Sequence, residues 1–274
     1  MARAVGIEAA WRRAPQDPQE LRRALFDPNP AVQGAALRAA RRLQPSEASA
    51  LLPVVRVSLQ LPWREVACEA ARTLSSWGDA SAYHLVTGGA RAAEVLGTHA
   101  AEVLVDHGEV ADLERLQQVL SRFPPSGEHL FLVARFGHPA AWGYLLHHLG
   151  NADLADDAAE ALATLFGPRV DEDAQTDVGA WRAAIEALAP EPDVRLTRGQ
   201  PWTPRLLAEE LAAGDLTPAH ASQLSSELSS RCNLHAPLDL AAWSAEEAAA
   251  RASLAASTNQ VSARYPAGRW AISP

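Results

Sequence analysis

The stretch Leu25-Phe26-Asp27-Pro28-Asn29-Pro30-Ala31-Val32 decides the fold class. Before it, Leu21, Leu25 and Phe26 give residues 19–26 one apolar side, which predicts a short helix. Asp27-Pro28-Asn29-Pro30 breaks that helix, because proline has no amide proton to give and crowds the turn before it. Beyond the break, Val32, Ala36, Ala39, Ala40 and Leu43 line one face of a second helix. The unit is a helix pair.

That unit recurs. Gly78, Gly108, Gly137 and Gly167 fall at intervals of 30, 29 and 30 residues, each after an apolar helical pattern. Glycine there predicts a left-handed C-terminal cap, since it takes positive φ without a Cβ clash. The first unit ends at Leu43, with Gln44-Pro45 in place of the glycine. In the second, Leu51, Leu52, Val55 and Leu59 belong to one helix, Leu61-Pro62 breaks it, and Val66, Ala67, Ala70, Ala71 and Leu74 form the next. Later pairs read as 79–87 with 91–106, 111–122 with 127–136, and 139–149 with 152–166. No window sustains strand alternation. The expected fold is all-α, an α-solenoid of about five helix pairs followed by a smaller helical region.

After Gly167 the character changes. Pro168 and Asp171-Glu172-Asp173 predict a break, followed by a helix over Val178–Leu188 that Ala189-Pro190-Glu191-Pro192 stops. Val194–Trp202 reads as irregular or extended. Thr203-Pro204 and Thr217-Pro218 each read as an N-cap with proline at the first helical position. Gly214 closes the first of these helices, the second runs to Cys232, and a last helix covers Ala241–Ala256. The expected organisation is a lead-in at 1–18, repeats at 19–168, an acidic linker at 169–179, a helical region at 180–258 and a flexible tail at 259–274.

Residues 19–167 resemble HEAT repeats. The likeness rests on the stretch quoted first, on Ala35-Ala36-Leu37-Arg38-Ala39-Ala40 after it, and on the unit starts Gly78-Asp79-Ala80 and Gly137-His138-Pro139-Ala140. Gly88-Gly89 and Pro124-Pro125 depart from the Asp-Pro turn. The resemblance implies stacked helix pairs whose Ala-rich second helices line a concave surface, and a binding scaffold. The segment around Gly199, Pro201 and Trp202, ahead of two short helices, resembles the C-terminal part of uncharacterised bacterial HEAT-repeat proteins, over residues 138–256. That likeness implies a component encoded near type VI secretion clusters.

Composition excludes several chemistries. All basic residues are Arg, so there is no P-loop lysine, Schiff base or lysine general base. No apolar run approaches the length of a membrane span, and the N-terminus lacks the apolar stretch of a signal peptide. A cytoplasmic protein with two reduced thiols, Cys68 and Cys232, is expected. Cys68 sits among alanines on a core face, where burial makes a thiol inert. There is no Gly-x-Ser-x-Gly elbow. His99, Glu102, Asp106 and His107 share a helix, but a metal needs three of them to converge. The His-Glu dipeptide of HEAT-like iron hydroxylases is missing. His147-His148 is expected on the surface. Neither a catalytic group, a cofactor nor a metal is expected.

Charge and tryptophan are the functional clues. Residues 1–43 carry eight Arg against four acids, while 150–193 carry eleven acids against two Arg. In a chain of net charge −9 this favours a protein partner with an acidic surface over nucleic acid, and no membrane is involved. Arg38, Arg41 and Arg42 on the second helix are the expected contacts, with Arg38 and Arg42 turned to one side as a fork for carboxylates. Trp63, Trp77, Trp142 and Trp181 fit apolar faces, whereas Trp202, Trp243 and Trp270 lie in or beside irregular segments. Trp202 and Trp243 are the candidate interface anchors. The expected role is a non-catalytic protein-interaction scaffold or adaptor in a bacterial assembly. The alternative is a HEAT-type enzyme, DNA glycosylase-like or metal-dependent hydroxylase-like, which would need a basic concave face or a ligand set.

Overall fold

The computed structural model describes residues 17–43, 45–89, 94–213, 218–232, 256–258, 261 and 267–270. The chain is mostly helical, with one two-stranded sheet among the described residues. The expected helix at Ala241–Ala256 and the anchor Trp243 lie outside the described residues, apart from the helical end at 256–258.

The described residues fall into two compact units, Met1–His107 with Leu211–Leu254 and Gly108–Glu210 with Ala255–Pro274. In the first unit the pairs are α1 (Pro18–Leu25) with α2 (Pro30–Ala40), α3 (Pro45–Ser58) with α4 (Arg64–Ser76), and α5 (Ser81–Thr87) with α6 (His99–His107). Their starts follow the sequence: Asp17 and Asn29 accept from the amides of Gln19 and Ala31, each with proline opening the helix. The second helices pack in order, α2 on α4 and α4 on α6. Their facing residues are small, Ala35, Ala36, Ala70, Ala71, Ala100 and Ala101, and all are buried, which lets the backbones approach.

The second unit holds α7 (Leu113–Leu120), α8 (Gly127–Phe136), α9 (Trp142–Leu149), α10 (Ala155–Phe166) and α11 (Val178–Leu188). Short 3₁₀ turns precede α7 and α9. Here too α8 packs on α10 and α9 on α10. A hairpin of β1 (Leu196–Thr197) and β2 (Gln200–Pro201), paired Leu196 to Pro201 and Thr197 to Gln200, lies against α10. Next comes α12 (Pro204–Ala213), within which the division after Glu210 falls, and then α13 (Pro218–Cys232), which belongs to the first unit.

Several expectations change. Gly78, Gly137 and Gly167 have positive φ, but Gly108 does not, and it is the first residue of the second unit. The acidic segment 169–179 lies at the surface with no buried residue, and it leads into α11, where Asp177 caps the helix and buried Trp181 donates its indole N–H to the Gln175 carbonyl. The tail is tied down at Gly268, whose backbone bonds Arg195 and Trp202, and Trp270 is buried. Trp63, expected in the core, stands half exposed at the start of α4 because it is the N-cap residue outside the helix face.

Candidate partner-binding surface

Three of the first unit's helices carry charge at matching positions, and the charges join across them. Helix α2 ends at Ala40, so Arg38 lies in its last turn and Arg41 just past its end. Both reach Glu69 on α4: Arg41 Nη2 donates to Oε2, and Arg38 Nη1 lies 3.5 Å from Oε1. Arg41 Nε also donates to Thr73 Oγ1 at 3.4 Å. One turn on, Arg72 crosses from α4 to α6 and grips Glu102 with two parallel bonds, Nε to Oε2 at 2.9 Å and Nη2 to Oε1 at 2.8 Å. His99 Nδ1 lies 3.8 Å from the same carboxylate.

The ladder is partly open to water, Arg41 least of its three arginines. Side chains of Arg38 and Arg72 are 39% and 38% exposed, while Glu69 and Glu102 are mostly covered. Burial works against the charge on Arg72, but the bonds and charge of Glu102 outweigh it and hold the guanidinium pKa above its ordinary value. Burial also lowers the His99 pKa, more than the neighbouring Glu102 carboxylate raises it. The ladder thus links Arg38, Arg41 and Arg72 with Glu69 and Glu102, beside an imidazole that burial pushes towards neutral. Arg64, at the start of α4, lies against Gly97 and adds a further cation beside it.

The lower ends of α4 and α6 are covered by α13. Asp106 is buried and accepts from Gln223 Nε2 at 2.8 Å and from Ser226 Oγ at 2.7 Å. Arg231 donates to the Val105 carbonyl, and Ser230 to the Ser75 carbonyl. Burial pushes the Asp106 carboxyl well up, with the Glu227 and Glu102 charges adding to the shift, against the Ser226 bond and Arg231. His107 stands 3.2 Å from Ser75 Oγ, and burial, with Arg231 nearby, pulls it down to about 4. The four residues weighed as a metal set thus go two ways. His99 and Glu102 join the ladder, Asp106 seats α13, and His107 turns to Ser75. Among the described residues no three His, Cys, Asp or Glu side chains are placed to hold a metal.

Of the expected contacts, Arg38 and Arg41 are brought together on Glu69. Arg42 lies two residues past the end of α2, so the helical spacing that would fork it with Arg38 does not apply. Trp202 is fully buried in the second unit, its indole stacked on the Arg195 guanidinium, and so presents nothing to a partner. Sequence reasoning missed Glu69 and Arg72. Their signal was available: Arg41 to Glu69 and Arg72 to Glu102 are separations of 28 and 30 residues, close to the repeat period of 29–30. Cys68 is buried, as its alanine neighbours suggested; its thiol donates to the Leu96 carbonyl and burial raises its pKa. Among the described residues no helix is long and apolar enough to cross a membrane. Comparison with known protein families, with curated proteins and with solved structures finds no match.

Proposed function

We propose that this chain is a HEAT-like α-solenoid that works as a non-catalytic protein-interaction scaffold in a bacterial assembly, docking an acidic partner on the first unit. The observation that carries this reading is the partly exposed ladder in which Arg38, Arg41 and Arg72 pair with Glu69 and Glu102 across three helices. Guanidinium groups offer five donors each, and planar pairing with carboxylates is what they do best. The ordered packing of α2, α4 and α6 supports the solenoid part of the reading, since it sets the charges in one row.

The test is affinity capture from the native host with mass-spectrometric identification, run with and without sheared DNA as competitor. Arg38→Gln with Arg41→Gln should lose the captured protein while keeping the helical signal, and DNA should not compete. Retention of the partner by the double variant would reject the ladder as its docking site. Loss of capture to DNA alone would favour a nucleic-acid ligand.

A further inference from the structure

We propose that the turn edge of the first two helix pairs docks an acidic peptide segment through a large apolar anchor flanked by Asp or Glu. Among the described residues the large apolar side chains left exposed are Phe26, Val57 and Trp63, at 65%, 62% and 51%. All three stand where the first helix of a pair gives way to the second. Phe26 follows the end of α1, Val57 lies in the last turn of α3, and Trp63 precedes α4. Two bonds fix how these turns lie. Thr73 Oγ1 donates to Leu37 O at 3.0 Å and Trp77 Nε1 to Ala40 O at 3.2 Å, so α2 and α4 run parallel at an offset of 36 to 37 residues. Carried back to the helix starts, where Asn29 and Trp63 are the N-cap residues, that register sets the turn at 26–29 beside the turn at 60–63. Pro28 and Pro62, in the same two turns, are exposed as well.

Charge selects the occupant. Arg22 and Arg23 precede Phe26 by four and three residues, the spacing of helix neighbours, and both are exposed. Arg64 follows Trp63 and is exposed, with its guanidinium against Gly97. Of the acids there, Asp27 turns its carboxylate into its own turn, accepting from the Asn29 amide, and Glu65 stands in the first turn of α4. An apolar anchor covers Phe26 and Trp63, and carboxylates beside it meet the arginines. A second copy of the chain fits worse. Among the described residues it offers no other exposed large apolar side chain, and pairing the edge with itself sets Arg22 and Arg23 against their own copies. A lipid surface also fits worse: an anionic one repels a chain of net charge −9, and a neutral one gives the arginines nothing to pair with. The edge lies at the start of α2 and the ladder at its end, so this is a second surface, independent of the docking reading above.

The experiment is selection of a phage-displayed library of random peptides on the full chain, with counter-selection on the Phe26→Ser, Trp63→Ser double variant. The expected consensus is one Phe, Leu or Trp flanked by Asp or Glu. In fluorescence anisotropy the selected peptide should bind at least about tenfold tighter than versions with Ala at the anchor or with Asn and Gln for the acids. Phe26→Ser with Trp63→Ser should lose about tenfold or more, and Arg22→Gln with Arg23→Gln about threefold or more. Both variants should keep the helical signal and the urea midpoint, because the side chains they change are exposed. Arg38→Gln with Arg41→Gln should leave this binding unchanged, which separates the edge from the ladder. No enrichment over the double variant, or a consensus without acids, would overturn the proposal. So would either of two losses in the double variant: a dimer seen by sedimentation of the full chain, which assigns the edge to a second copy, or binding to phosphatidylglycerol vesicles, which assigns it to a membrane surface.

Discussion

Arg195 is a buried cation that bonds main-chain carbonyls. Its Nε donates to Phe136 O at 3.2 Å and its Nη2 to Arg135 O at 2.9 Å, at the C-terminal end of α8. Those carbonyls have no partner within the helix, and the negative end of its dipole faces the guanidinium. Trp202 and Trp270 lie 4.6 and 5.6 Å from the same guanidinium carbon, so the charge is held over π faces in place of water. Gly137 closes the arrangement. Its φ is +78°, its carbonyl accepts from the Leu196 amide, and a Cβ there would come within 2.7 Å of Leu196 O and 2.8 Å of Arg195 Cγ. Gly137→Val should therefore cost about 2–4 kcal/mol, combining left-handed strain with displacement of the hairpin. Gly89 has nothing within 4 Å of an added Cβ, so Gly89→Val should change stability by less than about 0.5 kcal/mol. Urea denaturation measures both, and similar small losses at the two positions would show that Gly137 is an ordinary turn residue.

Helix α6 is where the first unit meets pH. Asp106 has its carboxyl pKa raised in the folded state, so its contribution is whole below the unfolded carboxylate range and is lost as pH rises through the folded value. His107 has its pKa lowered to about 4, so its contribution is whole above about 6.5 and is lost as pH falls towards 4. That second limb amounts to about 3 kcal/mol. Denaturation midpoints across pH should show stability falling on both sides. His107→Gln should flatten the acid limb, and Asp106→Asn should flatten the other, since an amide keeps an acceptor for Gln223 and a donor for Ser226. An unchanged profile in Asp106→Asn would mean that the carboxyl is already ionised at no cost. The partner of α6 is equally testable: Leu224 and Leu228 of α13 are fully buried, and Leu228→Ala should cost about 2–4 kcal/mol. The helix pairs were legible in the sequence because their signals are local, a proline, a cap or an alanine stripe within one turn. The seat of α13 on α6 was not, because Gln223 and Ser226 meet Asp106 over 117 and 120 residues of chain, and no local pattern records that.

At the scale of the molecule, composition suggested a cut at the acidic run after Gly167, and the fold divides elsewhere. The first unit takes α13 from beyond residue 210, and the second takes Gly268 and Trp270 from the end of the chain. The ladder was half legible for the same reason: its arginines were visible as an excess of charge, but the carboxylates that arrange them come from the next repeat. A contiguous fragment of residues 1–168 tests the division. It keeps every repeat that the sequence predicted, yet it loses α13 from α4 and α6 and loses the hairpin from α8 and α10. The hairpin supplies bonds from Leu196 N, Arg198 N and Gly199 N to the carbonyls of Gly137, Thr164 and Leu165, besides the two from Arg195. At about 1 kcal/mol net for each, with about 2–3 kcal/mol for each lost burial of Leu224, Leu228 and Trp202, the loss matches the whole stability of a typical domain, about 5–15 kcal/mol. The fragment should show reduced helicity per residue and no cooperative urea transition, whereas the full chain should show one. A fragment that melts cooperatively near the full chain's midpoint would mean that α13 and the hairpin merely decorate a repeat array able to stand alone. The ladder would then sit on an independent module, and the captured partner should bind the fragment as tightly as it binds the whole chain.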